Sequence, residues 1–317
     1  MRVKDCVLGI DTSNYKTSVA LICKDGKIVN DVRKLLSVSK GDRGLRQSHA
    51  FFQHIEALPA LLEQALCDNN ERIAAVSVSE RPRPVDSSYM PVFKAGESIA
   101  EVLAQALGVP VFKFSHQEGH IEAVKNSSGF RDKKDLLCFH LSGGTCELLK
   151  ISGDAIEIIG GSRDISLGQV LDRVGVSLGI DFPCGEVFDD IAMKTDATGD
   201  YLKDIPVMGT EINLSGIETQ AGRIAEKKLS GRERDMLIKE LLNRICNALV
   251  KLSENAVTST KMRDILFVGG VSSSRFIAGK LNARFIGTTI NIEFGDQSLA
   301  SDNAVGIAYL GGKKIWL

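Results

Sequence analysis

Apolar and polar positions come in repeating blocks along this chain. Val7 to Val29 reads as strand, Asp11-Thr12-Ser13 turn, strand, Asp25-Gly26 turn, strand, because short runs of Val, Ile and Leu are cut by turn residues. Leu136 to Ile159 repeats that rhythm, with Ser142-Gly143-Gly144-Thr145 and Gly153-Asp154 as its turns. Each block leads into mostly helical sequence and then into another apolar strand, Ile73 to Ser79 in the first half and Ile265 to Val268 in the second. Gln47 to Leu66 carries Phe51, Phe52, Ile55, Leu58, Leu61, Leu62 and Ala65 at the spacing of a core-facing helix. Its His49 and His54, five apart, are poorly spaced for a metal and read as solvated or hydrogen-bonded. Further helices are predicted over Glu97 to Leu107, Arg234 to Ser259 and about Asp302 to Leu310, the last capped by Ser301 or Asp302.

A strand-strand-strand-helix-strand unit that occurs twice is the plan of an α/β, actin-like (sugar-kinase-type) fold. Such a fold predicts an N-terminal lobe over 1–115, a helix and linker over 116–135, and a C-terminal lobe over 136–317 whose last helix returns to a nucleotide cleft. Glycine and hydroxyl residues in the hairpin turns suit a phosphate, because backbone N–H groups can approach it closely.

The chain of 317 residues is long enough for two such lobes. A net charge of −1 excludes a generally basic nucleic-acid-binding surface. Only local patches remain, Arg223, Lys227, Lys228, Arg232 and Arg234 or Arg81 with Arg83, and no aromatic residues interleave them for base stacking. No apolar run reaches the length that spans a bilayer, so no membrane partner is expected. The N-terminus passes straight into a strand without a leader pattern, and a cytoplasmic protein is expected. Seven cysteines, none in a Cys-x-x-Cys pair, read as small buried hydrophobes in a reducing compartment.

Chemistry concentrates in Ser115-His116-Gln117-Glu118-Gly119-His120, directly after the apolar strand Val109 to Phe114. Ser115 with Glu118 forms a capping-box pattern, so a helix should begin here. Histidines four apart share a helical face and can grip one metal, although the same spacing also fits a packing or surface pair. Their place favours the metal, since α/β sheets build ligand sites where a strand ends and a helix begins.

Read in order, His116-x-x-x-His120, Leu141-Ser142-Gly143-Gly144, Asp164-x-x-x-Gly168-x-x-x-Asp172-Arg173, Gly179-x-Asp181-x-Pro183-x-Gly185, Asn213-x-Ser215-Gly216-x-x-Thr219, Gly269-Gly270-Val271-Ser272 and Ser301-Asp302-Asn303-Ala304 form a series. It resembles the universal tRNA threonylcarbamoyl transferases, the TsaD-type family once called O-sialoglycoprotein endopeptidases, over nearly the whole chain. The resemblance implies an actin-like two-lobe fold and one divalent metal, iron or zinc. It also implies ATP or threonylcarbamoyl-adenylate as ligand, and transfer of the threonylcarbamoyl group to tRNA adenosine. His116, His120 and Asp302 fall on the family's metal ligands. Ser142, Gly143, Gly144 and Thr145 fall on its phosphate turn. Asp172, Gly185, Gly269, Gly270 and Ser274 fall where it holds ribose and base, and Asp11 and Lys16 fall in its active-site region.

The departures from the family pattern are informative. Gly9-Ile10-Asp11-Thr12-Ser13 fits, but Tyr15 and Lys16 replace the acidic residues that usually follow, which inverts the local charge. Glu80-Arg81-Pro82-Arg83-Pro84-Val85-Asp86-Ser87-Ser88-Tyr89 replaces a glycine-rich Pro-Gly-Leu loop and is stiffer and more basic. Thr145 replaces a polar ring or amide, Ser274 an asparagine, and Ile165 the second of two aspartates. A divergent paralogue fits this pattern. Three function classes follow: the family reaction on tRNA, a related metal-dependent carbamoyl or phosphoryl transfer to another acceptor, and a non-catalytic nucleotide-binding partner of a homologous or accessory subunit. The retained metal residues speak against the third. Peptidase chemistry is rejected, because a zincin places its glutamate directly after the first histidine and Gln117 stands there.

Overall fold

The first hairpin block pairs as an antiparallel meander and then receives two parallel strands. The strands are β1 (Asp5–Thr12), β2 (Lys16–Cys23), β3 (Ile28–Leu35), β4 (Arg72–Arg81) and β5 (Val111–Ser115), in sheet order β3-β2-β1-β4-β5. Helices α1 (Gln47–Leu66), α2 (Phe93–Leu107) and α3 (His116–Asn126) complete this half. The computed structural model describes residues 5–13, 15–38, 45–67, 71–85, 87–197, 199–300 and 302–316.

The second block builds a sheet from β6 (Asp135–Leu141), β7 (Cys146–Ser152), β8 (Ala155–Ser162), β9 (Val207–Met208), β10 (Glu211–Ile212), β11 (Asp264–Val268) and β12 (Asn291–Glu293). Its run β8-β7-β6-β11-β12 has the same connectivity and direction as β3-β2-β1-β4-β5. The repeat seen in the hydrophobic pattern is thus a repeat of topology. Helices α4 (Leu167–Ser177), α5 (Gly185–Lys194), α6 (Ser215–Ala225), α7 (Gly231–Thr260) and α8 (Arg275–Phe285) belong to this half, and α9 (Val305–Trp316) closes the chain.

Two units result, residues 1–127 with 301–317, and residues 128–300. These divisions fall at 127/128 and 300/301, where the sequence pattern suggested 115 and 135. Packing explains the difference: α9 lies against β1 and α3, so both the His116 helix and the closing helix join the first sheet.

Pleat alternation gives β1 two different jobs. Leu8 and Ile10 face the cluster that includes Leu58 and Ala57 of α1 and Ala95 and Ala100 of α2. Gly9 and Asp11 face the other way, toward α9. A Cβ on Gly9 would lie 2.5 Å from the Ala304 carbonyl oxygen, and one on Gly306 would lie 1.8 Å from the Gly119 carbonyl oxygen. Backbone therefore meets backbone where α9 crosses β1 and α3. A Glu122–Lys313 ion pair at 2.6 Å reinforces the α3–α9 contact.

Several local expectations need correction. α1 has the expected bounds, but its core face is Ala50, His54, Ala57, Leu58, Leu61 and Ala65, while Phe52 and Ile55 are exposed. Buried His54 bonds the Thr17 hydroxyl at 2.8 Å, which rotates the buried stripe away from the phenylalanine. Asp302 does not cap α9. Asn303 does, its Oδ1 accepting the N–H groups of Val305 at 3.0 Å and Gly306 at 3.3 Å, and Ser301 lies outside the described residues. Cys6 and Cys23 stand directly opposite on β1 and β2 and are joined as a disulfide, with Cα atoms 3.9 Å apart, so they are not the thiols expected. Buried Cys146 fits the packing reading, since burial pushes its thiol up to about 12.

Gly306→Ala should destabilise the protein by about 1–3 kcal/mol in chemical denaturation, the range for overpacking a tight contact. Gly222→Ala, whose Cβ on α6 meets open space, should be neutral or stabilising.

Candidate active site

In each sheet the candidate site residues lie at or near the carboxyl ends of the parallel strands, where α/β folds place ligands. In the first unit those ends are Asp11 on β1, Ser79 on β4 and Ser115-His116 leaving β5. Ser115 forms the capping box with Glu118, its hydroxyl accepting the Glu118 N–H at 3.2 Å while the Glu118 carboxylate accepts the Ser115 N–H at 2.6 Å. That cap fixes the first turn of α3 and aims both histidines to one side. The Pro82 carbonyl also accepts the Gln117 N–H at 3.0 Å, so the unusual proline-arginine loop is fastened to α3. Asp86 of that loop lies outside the described residues.

The rings of His116 and His120 meet edge to face with centroids 4.4 Å apart. Asp302 Oδ1 lies 3.4 Å from His116 Nε2 and 3.0 Å from His120 Nε2. These three donors lie within 4.8 Å of one another. On the far side of His116, Nδ1 lies 2.9 Å from Asp11 Oδ1. The same oxygen accepts the Ser79 hydroxyl at 2.5 Å. Burial opposes the imidazolium of His116, but Asp11 and Asp302 on either side outweigh it and raise its pKa to about 10. Burial also opposes ionisation of Asp302, which the two imidazoles overcome, holding it well below the usual carboxylate range. Burial and the neighbouring His116 charge lower His120. Two imidazoles and a carboxylate with open positions form a donor set that fits zinc or iron.

Lys16 opens β2, just beyond the Thr12–Thr17 pair. Since Asp11 pairs with Ser18 and side chains alternate, Lys16 lies on the same face of the sheet as Asp11. Arg81 is engaged locally by Glu80 at 3.4 Å.

In the second unit the Ser142–Thr145 turn follows β6, and Gly269 follows the adjacent parallel strand β11. Gly269 has φ +92°, and a Cβ there would lie 2.4 Å from the Leu141 carbonyl oxygen, so only glycine lets the two strand ends approach. The Ser142 hydroxyl accepts the N–H groups of Gly144 at 3.3 Å and Thr145 at 3.0 Å. Two donors thus already converge on one oxygen. Ser166, which the sequence reading overlooked, caps α4 and donates to the Gly143 carbonyl at 2.5 Å. Gly168 packs so closely that its Cβ would lie 2.5 Å from Gly143 Cα.

From this turn, α4 leads to Asp172, whose Oδ1 accepts the Cys184 N–H at 2.9 Å just before Gly185 opens α5. Burial raises the Asp172 carboxyl above its ordinary value. Asp189 of α5 accepts the Ser274 hydroxyl at 2.5 Å, and Ser274 Oγ accepts the Ile277 N–H at 3.1 Å. The hydroxyl of Ser274 is therefore occupied in capping α8. Gly270 begins the short turn Gly270–Ser273 that precedes it. One continuous set of contacts links the glycine turn, Asp172, Gly185, Ser274 and Gly270. Asp164 serves the framework: its carboxylate accepts the N–H groups of Ile165 at 2.7 Å, Leu214 at 2.8 Å and Ser215 at 3.0 Å.

Two lobes of repeated β-β-β-α-β topology define the actin-like class that includes the sugar kinases, and solved structures agree. HypF in its phosphate- and nucleotide-bound form matches with TM-score 0.62 at 12% identity over 99% of this chain, which spans 47% of that protein. The ROK hexokinase of Thermus thermophilus matches with TM-score 0.53 at 13% identity over 98% of this chain and 99% of its own. A family model for tRNA N6-adenosine threonylcarbamoyltransferase matches residues 39–309, and the chain belongs to that family. The Neorickettsia sennetsu tRNA N6-adenosine threonylcarbamoyltransferase is 26% identical over 310 residues, 96% of this chain and 92% of the relative. A probable bifunctional tRNA threonylcarbamoyladenosine biosynthesis protein of Methanocaldococcus jannaschii is 25% identical, and this chain spans 54% of it.

Asp164 yields a pH prediction. Burial opposes its ionisation, but the Ser215, Leu214 and Ile165 donors outweigh this and hold it below the usual carboxylate range. Its stabilising contribution is full above the unfolded value of about 4 and is lost as pH falls through the lower folded value. Protection of residues 211–218, taken as exchange relative to the intrinsic amide rate at each pH, should therefore fall below about pH 4 in the wild type. In Asp164→Ala, exchange should already be fast at pH 7.

Proposed function

We propose that this chain transfers the threonylcarbamoyl group from its adenylate to an adenosine of tRNA, using a divalent metal, zinc or iron, held by His116, His120 and Asp302. The observation that carries this reading is the convergence of those three donors within 4.8 Å in a chain of this family. When bound, the metal supplies Lewis-acid polarisation of a carbonyl oxygen.

The remaining work falls to the chain's own groups. The Ser142–Thr145 turn takes a phosphate oxygen where the Ser142 hydroxyl now gathers the Gly144 and Thr145 N–H groups. Asp172, with one oxygen bound to Cys184, offers the other to a ribose hydroxyl, beside Gly185, Gly269, Gly270 and Ser274. In the transfer, the adenosine amine forms a bond to the carbamoyl carbon while the bond from that carbon to the phosphate oxygen breaks. AMP leaves with the electron pair, and the amine proton goes to solvent. Lys16 presents a cation on the Asp11 face of the first sheet. A cytoplasmic site of action and an accessory protein subunit fit a tRNA-modifying role. Among the described residues, no helix is long and apolar enough to cross a membrane. The position of Lys16 also favours a second reading, in which the acceptor or donor is more anionic than the family's usual substrate.

With threonylcarbamoyl-adenylate and tRNA, liquid chromatography of digested nucleosides should show threonylcarbamoyladenosine. Formation should fall at least 100-fold in His116→Ala, consistent with loss of one metal ligand. Consumption of the adenylate with no tRNA product would favour another acceptor. Lys16→Glu should weaken adenylate binding by about tenfold in calorimetry, the effect of about 1.4 kcal/mol of lost attraction, with an unchanged melting temperature.

A further inference from the structure

Asp11 is completely buried, and both of its side-chain bonds fall on one oxygen, Oδ1. Among the described residues its Oδ2 has no hydrogen-bond partner. A buried carboxylate with an unsatisfied oxygen is costly unless a specific interaction requires it. The other oxygen, Oδ1, carries both contacts that define the surroundings of Asp11. Ser79 can only donate to Asp11, since an ionised carboxylate has no proton to give. The Ser79 hydroxyl therefore fixes where Oδ1 sits, 2.5 Å away on the neighbouring strand β4. Oδ1 in turn lies 2.9 Å from His116 Nδ1 and must receive a proton from it. With Nδ1 held as the donor to Asp11, Nε2 is the nitrogen left to a metal, and it faces Asp302 Oδ1, an oxygen that His120 Nε2 also approaches.

We infer that Ser79 and Asp11 form a two-residue positioning relay that sets the tautomer and ring orientation of His116 for metal binding, and that Asp11 acts through His116 rather than by touching substrate. This rests on the metal reading above. It extends that reading by adding Ser79, which the sequence motifs do not mark, and by giving Asp11 a role different from the catalytic one expected for it. The arrangement follows the general rule that a ligating imidazole donates its other N–H to a carboxylate, which is itself held by a further hydrogen bond. The two strands make the relay rigid. Asp11 and Ser79 lie near the carboxyl ends of β1 and β4, and each directly follows the last parallel pair of the two strands, Ile10–Val78.

The test is a zinc titration of chelator-stripped full-length protein against a competing chromophoric chelator, for wild type, Ser79→Ala, Asp11→Asn and the double variant. Zinc affinity should fall about tenfold in Ser79→Ala and 10–100-fold in Asp11→Asn, the range for lost outer-shell partners. The double variant should be no worse than Asp11→Asn alone, because Ser79 acts through Asp11. Cobalt substituted for zinc should show a shifted visible spectrum in both single variants, a change that loss of packing alone would not produce. Single-variant affinities within twofold of wild type, or additive losses in the double variant, would overturn the relay. A wild type that binds neither zinc nor cobalt would instead overturn the metal reading itself. Should the variants fail to fold, nitrogen-15 spectra of zinc-loaded wild type decide the matter. His116 should be protonated at Nδ1 and metal-bound at Nε2, and the reverse assignment would overturn the inference.

Discussion

The close crossing of the last helix over the first strand is the constraint on which the first unit depends. Gly9, Gly306 and Gly311 remove side chains where α9 meets β1, α3 and β4, and a Cβ at any of the three would strike atoms within 2.5 Å. Interiors are packed too densely to absorb such an overlap without movement. This crossing delivers Asp302, some 180 residues downstream, to within 3.0 Å of His120. The third donor therefore depends on packing far more than on local sequence.

Charge then organises what packing assembles. His116 is held by a carboxylate at each ring nitrogen, Asp11 at Nδ1 and Asp302 at Nε2. One carboxylate is fully buried and tied to Ser79, whereas Asp302 is partly exposed, with 28% of its side-chain surface accessible. The two carboxylates thus differ in access: the buried one is enclosed with Ser79 and His116, and the partly exposed one faces both imidazoles. The second unit achieves an analogous pre-arrangement without charge. There the Ser142 hydroxyl and the Ser166 bond to Gly143 hold the glycine turn in shape.

Much of the fold was legible in the sequence because it is written in local periodicity. The two hairpin blocks, the strands read over 73–79 and 265–268, the bounds of α1 and the Ser115–Glu118 capping box all follow from patterns within about twenty residues. What was not legible depends on tertiary partners. The buried face of α1 turns on a His54–Thr17 bond, so Phe52 points outward although its spacing suggested core. Asn303 rather than Asp302 caps α9, because Asp302 is drawn to the imidazoles. The Cys6–Cys23 pairing needs the register of two strands, and cysteine spacing alone does not reveal it. In the candidate site, the His-x-x-x-His pair showed itself by helical geometry, and Asp302 entered only by family resemblance. Ser79 gave no signal, since a serine near a strand end is commonplace, whereas Ser166 with Gln169 carries the same capping-box pattern as Ser115 with Glu118 and was overlooked.

The central claim is that two imidazoles and one carboxylate, drawn from opposite ends of the chain, form a single metal centre. X-ray absorption spectroscopy on the zinc-loaded protein tests it most directly. The account predicts a first shell of nitrogen and oxygen near 2.0–2.1 Å, with the outer-shell scattering of two imidazoles, reduced to one imidazole in His120→Ala. A shell containing sulfur at about 2.3 Å, or imidazole scattering unchanged in that variant, would contradict it.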